Sequence, residues 1–331
     1  MTGGMRMARH TRESAAHPQR VASIDLLRVL GIIAVVATHA FALTPTRRLL
    51  LFTWQVPLFF LLSGYFFRFD RAFGKDIETR ARTLLVPYAS WMVVVAVFNY
   101  GYQKTHQVPV TWDYLLSLVK GGHYIGAPFS AFWFFTALFF VRLYARALAS
   151  VRPWLLGVGA AVALVLSVLI PEWLGDLWWA AGVAVPMLVF LAAGIAVRWA
   201  GTWIDDMQAA VWLKALAGAV MFVAGVVCYV VWPIPMDIKY ADFGTPVVGI
   251  VGSCLLCGGL VLLFSAFTFW SAVVSTLAQA GVPVLFIHPT LILWLRDYVD
   301  SGMIRFVITV VVSFAIGLLI NRSAKAKLLF G

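Results

Sequence analysis

Apolar runs of roughly twenty residues, parted by short polar stretches, recur along the chain between residues 24 and 321. A hydrocarbon layer about 30 Å thick needs about 20 helical residues to cross it, so runs of this length read as membrane helices. The pattern predicts about ten of them, near 24–43, 49–67, 84–102, 130–149, 153–170, 177–197, 211–232, 246–267, 277–295 and 303–321. Only the stretch 103–129 is a long connection, and no internal repeat or low-complexity segment is visible. The expected architecture is an all-α integral membrane protein, its helices surrounding a central cavity.

The first run holds two residues that lipid tolerates poorly, Arg28 near its start and His39 near its end. An ionisable side chain inside a membrane helix costs about 2.5–3.5 kcal/mol even on lenient scales, so such residues face protein-lined cavities and mark function. Eleven positions separate the two. In a helix that spacing is about three turns, within roughly 20° of one face and about 16 Å along the axis. Taken singly, Arg28 also fits a residue that snorkels to the headgroups, and His39 an interfacial residue with a water partner. Together on one stripe they point to one interior channel. The permanently charged guanidinium suits an anion, and the imidazole exchanges a proton near neutral pH, as a general base or, less directly, as a nucleophile.

Composition agrees with a polytopic membrane chain: 62% of residues are hydrophobic and only 12% charged, with mean hydropathy +0.92. The net charge of +11 raises nucleic-acid binding as a question. The basic residues lie between apolar runs, however, where the positive-inside rule accounts for them, and the partner implied is the lipid bilayer. The first run, preceded by Arg6, Arg9, Arg12 and Arg20, superficially resembles a signal peptide, but its length and the many runs that follow predict a retained helix. With the N-terminus in the cytoplasm, most of the 25 Lys and Arg residues fall on the inner side, among them Arg68, Arg71, Arg142, Arg146, Arg198 and Lys214. The bias predicts that both termini are cytoplasmic. Residues 1–22 then form an N-terminal tail, 23–322 the transmembrane domain and 323–331 a C-terminal tail.

In that orientation an anion held near Arg28 needs a long arm to bring a reactive group to His39. Coenzyme A has such a shape, a phosphorylated nucleotide head on an extended pantetheine tether that ends in a thioester. Acetyl-CoA or another acyl-CoA is therefore the candidate donor. Lys75, Arg80 and Arg82 cluster at the inner start of the third run, where basic side chains suit nucleotide phosphates. For Lys75 topology signalling is a sufficient reading.

Other positions carry weaker signals. Pro57 interrupts the backbone ladder of the second run, and Ser63-Gly64 offers either a cavity lining or plain close packing. His288, between Pro283 and Pro289, fits two roles, contact with substrate or satisfaction of freed carbonyls. Trp133 suits either stacking on a sugar or anchoring at the interface. Asp25 is placed to cap the first helix or pair with Arg28. Cys254 and Cys257 form a lone Cys-x-x-Cys without further ligands, so no metal site is expected.

Five blocks together resemble the membrane acyltransferase 3 family. They are Ser23-Ile-Asp25-Leu-Leu-Arg28 with His39, Val56-Pro57 through Ser63-Gly64-Tyr65, Arg80-Ala-Arg82 through Pro87-Tyr88-Ala-Ser-Trp91, Phe132-Trp133-Phe134-Phe135, and Phe286-Ile-His288-Pro289. The third is similar to the branch resembling sugar O-acetylases. The resemblance implies transfer of an acetyl or other acyl group from cytoplasmic acyl-CoA to an extracytoplasmic glycan or lipid-linked sugar at a bacterial inner membrane. Arg28 and His39 would then be essential, and Arg80 and Arg82 would assist donor binding. Many members place two residues between that arginine pair. Here only Ala81 separates them, which leaves open which arginine faces the donor. A transporter or flippase, with Arg28 and His39 on its substrate or proton path, is the alternative, and repeat symmetry with paired broken helices would favour it. The acceptor, the acyl group and the oligomeric state stay open at this stage.

Overall fold

The computed structural model describes residues 23–267 and 271–331. The expected N-terminal tail with its four arginines lies outside the described residues. In chain order the helices are α1 (Ser23–Ala40), α2 (Pro45–Phe52), α3 (Gln55–Tyr65), α4 (Phe73–Arg80), α5 (Val86–Thr105), α6 (Trp112–Lys120), α7 (Trp133–Val151) and α8 (Leu155–Leu169). They continue with α9 (Pro171–Asp176), α10 (Met187–Asp205), α11 (Ala210–Val231), α12 (Val248–Ala266), α13 (Ala272–Gln279), α14 (Gly281–Leu295), α15 (Gly302–Ile320) and α16 (Ala324–Phe330). No strand occurs among the described residues. The all-α membrane architecture expected from the apolar runs is what the chain adopts.

Among the described residues eight helical stretches are long and apolar enough to cross a membrane, and nine if α13 and α14, bent by 60° at their junction, make one span. The expectation of about ten differs in detail for physical reasons. Helix α8 has only 15 residues, about 22 Å of rise, which falls short of the hydrocarbon thickness. The helix expected over 177–197 begins at Met187 instead, because Trp179 and Ala180 both take positive φ and Pro186 stands just before its first turn. The second run is not one kinked helix. It breaks at Thr53 and Trp54, so Pro57 falls in the first turn of α3, where its missing N–H is harmless.

The third run starts earlier than expected. Helices α4 and α5 join through a π-helical turn, Ala81–Leu85, into a stretch of 33 residues, Phe73–Thr105. Pro87 follows that turn and cannot donate to the Thr83 carbonyl, which accounts for the widened ladder at this point. Residues 323–331, expected as a tail, form α16, capped by the Ser323 hydroxyl; Trp91 Nε1 on α5 donates to Phe330 O at 3.0 Å.

Arg28 at the start of α1 lies against Phe66 just beyond α3, and Arg198 late in α10 donates to the carbonyls of Tyr65 and Phe67. Ser23 Oγ donates to Phe267 O just past α12. These contacts define one end of the bundle, rich in arginine. His39, the start of α3 and the start of α7 meet toward the other end. Helices α11 and α12 pack through Gly218, Gly225, Gly252 and Gly259, where backbones meet with no side chain between them.

Helices α3 and α10 cross still more tightly. A Cβ on Gly64 would collide with the Leu191 carbonyl, and one on Gly194 with the Leu61 carbonyl. This crossing holds α3, which lines both cavities described below: Gly64 serves close packing, while Ser63 beside it lines a cavity. Gly64→Val should destabilise the purified protein by about 3 kcal/mol, the scale of overpacking between rigid neighbours. Gly157→Ala, where no atom stands within 4 Å of the new Cβ, should leave the thermal melting point unlowered.

Candidate active site

Helix α1 carries Arg28 and His39 along one face, as their spacing predicts, and each opens into a cavity of its own. The cavity at the arginine-rich end is about 270 Å³ and is lined by Arg28, Arg80 and Arg142 together with Ser63, Phe66 and Gly281. The cavity toward the opposite end is about 250 Å³ and is lined by His39, Thr38, Gln55, Ser130, Trp133 and Lys239, among others. Phe59, Phe134 and Leu285 line both, so one apolar wall separates the two chambers.

The arginine chamber is organised around a residue the sequence reading passed over. Asp76 on α4 is fully buried and accepts from Arg142 Nη2 at 3.1 Å and from Arg146 Nε at 2.9 Å. Arg80 Nε stands 3.8 Å and Arg71 Nη1 3.7 Å from the same carboxylate. Arg142 and Arg146, expected to be inner-surface topology signals, are instead 1% exposed. They stack on Phe67 and donate to the carbonyls of Ser63, Arg68 and Arg71. Arg28 pairs with Asp25 at 3.0 Å and lies over the Phe66 ring, so Asp25 takes its expected pairing role. The cations outnumber the carboxylates, and the Nε atoms of Arg80 and Arg142 are buried without a hydrogen bond. Such a donor set suits a multiply charged anion.

The arginine pair at the third-run entrance divides. Arg80 lines the chamber. Arg82, past the onset of the π turn, is exposed and pairs with Glu78 at 2.7 Å; the structure does not bring it into the chamber. Lys75 is likewise exposed.

In the second chamber His39 meets His288, with ring centroids 4.9 Å apart. His288 is fully buried and its Nδ1 lies 3.0 Å from the Val284 carbonyl. A carbonyl only accepts, so Nδ1 carries the proton and a neutral His288 keeps its lone pair on Nε2, which has no partner. His288 thus bonds a carbonyl one turn back, and it stands behind His39 rather than in the chamber lining. Trp133, at the first turn of α7, lines the chamber. Gln55 Oε1 and Ser130 Oγ, also in the lining, are buried without partners. Both were missed in sequence, where a glutamine beside an apolar run was the available signal.

The loop between α11 and α12 closes this chamber. Lys239 Nζ donates to Ile125 O at 2.5 Å, and Asp237 faces Arg48 at 3.5 Å. Burial pushes the Lys239 ammonium down to about 8, against the opposing pull of Asp237. No cluster of metal-ligating side chains occurs among the described residues, and Cys257 only approaches Trp54 O, at 3.4 Å.

Three of the blocks noted in sequence converge behind the chambers. Phe135 stacks on Phe286 at 3.8 Å, with Phe132 and Trp91 packed against the same ring. A polytopic helical protein with a cation-lined chamber and an imidazole-bearing chamber on one helix is the class these observations define. Comparison with known families matches residues 21–322 to the acyltransferase 3 family, whose profile is described as an acyltransferase domain. The match covers nearly the whole chain, and the chain belongs to that family: it is a multi-pass membrane acyltransferase. Neither a curated protein nor a solved structure matches it.

Asp76→Asn would leave Arg142 and Arg146 buried without their counter-charge, and the expected cost is about 3–5 kcal/mol, read as a lowered melting point. For Lys239, the NMR resonance of its 13C-methylated amine should titrate with a midpoint near 8 rather than at the usual 10.5. Above that pH the amine is neutral, so any anion it holds below the midpoint should be released as pH rises.

Proposed function

We propose that this acyltransferase moves an acyl group, acetyl in the first instance, from cytoplasmic acyl-CoA to a hydroxyl of an extracytoplasmic or lipid-linked glycan at the bacterial cytoplasmic membrane. The observation that carries the reading is the pair of chambers on one face of α1, cations in one and imidazole in the other, meeting at a single apolar wall. The arginine-rich end faces the cytoplasm in this reading, in keeping with the positive-inside rule. Arg28, Arg80 and Arg142 would take the donor's phosphates, and the Nε atoms of Arg80 and Arg142, buried without a hydrogen bond, are the groups that gain most. The pantetheine tether then covers the separation of about 16 Å between Arg28 and His39 along the helix.

The acceptor enters the second chamber, where the Trp133 face supports a sugar ring and Gln55 and Ser130 offer hydrogen bonds to its hydroxyls. A hydroxyl is a poor nucleophile near pH 7. His39 removes its proton as the oxygen attacks the thioester carbonyl. The new C–O bond forms, the C–S bond breaks, and the imidazolium returns the proton to the departing sulfur, leaving an ester, a free thiol and neutral His39. General-base assistance of this kind contributes about 10²–10⁴ in rate. The transporter alternative would be favoured by matched broken helices; the described residues hold one bent pair, α13–α14.

His39→Gln should keep acyl-CoA binding, measured by calorimetry on the purified protein, and lose transfer by about 10²-fold or more. Arg80→Ala should weaken acyl-CoA binding by about 2 kcal/mol, the worth of a charge-assisted contact, whereas Arg82→Ala should leave it unchanged. Near wild-type transfer in the His39 variant, or equal losses at both arginines, would refute this assignment.

A further inference from the structure

We infer that the acceptor carries an anionic group, a sugar carboxylate or a phosphate, which Lys239 receives while the acceptor's hydroxyl meets His39. The inference rests on the reading of the second chamber as the acceptor site, and names the chemical class that enters it.

Lys239 is not a loose surface lysine. It sits in a short 3-10 turn, Ile238–Tyr240, between two paired positions: Asp237 N donates to Asp242 O at 2.8 Å, and Asp242 N to Asp237 O at 3.2 Å. Asp242 Oδ1 accepts from Gly244 N at 2.9 Å, and Ala241 closes the turn in the left-handed region at φ 55°. Met236 and Ile238 plug the core on either side, 0% and 4% exposed. The loop is therefore held by its own hydrogen bonds and by two apolar anchors, and it presents Lys239 to the chamber wall that also holds His39.

The charge there is left over. The Lys239 ammonium gives one of its three donors to Ile125 O and has no ion pair among the described residues. The neighbouring carboxylate, Asp237, is turned to Arg48. Arg48 lines the same chamber, and α7 directs its N-terminal end at it through Ser130, Ala131 and Trp133; a helix N-terminus adds partial positive charge. The lowered affinity of Lys239 for its proton, described above, is the mark of a half-buried cation whose desolvation outweighs the pull of Asp237. A neutral sugar would use Trp133, Gln55 and Ser130 and leave the cation unanswered. An acidic sugar, or one attached to a phosphate, answers all of them.

The test uses the full-length protein in nanodiscs and needs no acyl-CoA, so its failure is separate from failure of the donor reading. Amine-reactive labelling at pH 8, read by peptide mass spectrometry at Lys239, is run against three probes: methyl glucuronide, glucose 1-phosphate and neutral methyl glucoside. An anionic probe should protect Lys239 at about tenfold lower concentration than the neutral one, the low end of a charge-assisted hydrogen bond. Protection by glucuronide alone would identify a sugar carboxylate, and by the phosphate alone a phosphorylated or carrier-linked acceptor. Saturation-transfer NMR of the same probes should show the anionic advantage lost in Lys239→Gln and kept in Lys239→Arg. Equal protection by all three probes, protection by none, or an unchanged preference in Lys239→Gln would overturn the inference.

Discussion

The buried Asp76 carboxylate is the interaction on which the arginine-rich half of the molecule depends. It draws Arg142 and Arg146 from α7 onto α4, and those guanidiniums in turn hold the chain just beyond α3 through the carbonyls of Ser63, Arg68 and Arg71. Three elements from distant parts of the sequence are locked by one charge. Breaking such a cluster by removing its single anion is far more costly than never having built it. The excess of cations over carboxylates that remains also keeps the chamber electropositive without collapsing onto itself. Stability and anion capture thus come from the same residues.

In the proposed reading the two chambers must not be one, since a continuous wet path would let water reach the thioester and let protons cross the membrane. The wall is thin and made of rings: Phe59 and Phe134 touch edge to face with centroids 5.5 Å apart, and Phe134 is braced by Phe60 and Phe135. Phe59 also packs on Gly31, where even a Cβ would stand 3.1 Å from its ring.

The architecture was legible because hydrophobic run length is a strong signal, and the Arg28–His39 stripe because helical periodicity places two residues eleven apart on one face. Two of the misplaced boundaries share one cause. The breaks at Thr53–Trp54 and at Trp179–Ala180 were set by local backbone chemistry inside apolar runs, where hydropathy alone cannot register a break. Arg142 and Arg146 read in sequence as inner-surface topology signals, and their burial was not legible because their partner Asp76 lies in a polar stretch that reads as an ordinary inner loop. Lys239, Gln55 and Ser130 become site residues only when the loop after α11 and the start of α3 fold over His39. The split of Arg80 from Arg82 follows from helical geometry, in which residues two apart point to opposite sides.

Placing Arg28 and His39 on one helix has a mechanical consequence. Within α1 their separation is set by backbone hydrogen bonds at 1.5 Å per residue and does not vary with the packing of other elements. Every other functional group comes from a different helix or loop and shifts with it. In the proposed reading, the donor's anionic head and the proton acceptor are therefore referred to one rigid rod. A reaction that joins a substrate from each side of a membrane needs a fixed distance between the two capture points, and α1 would supply it.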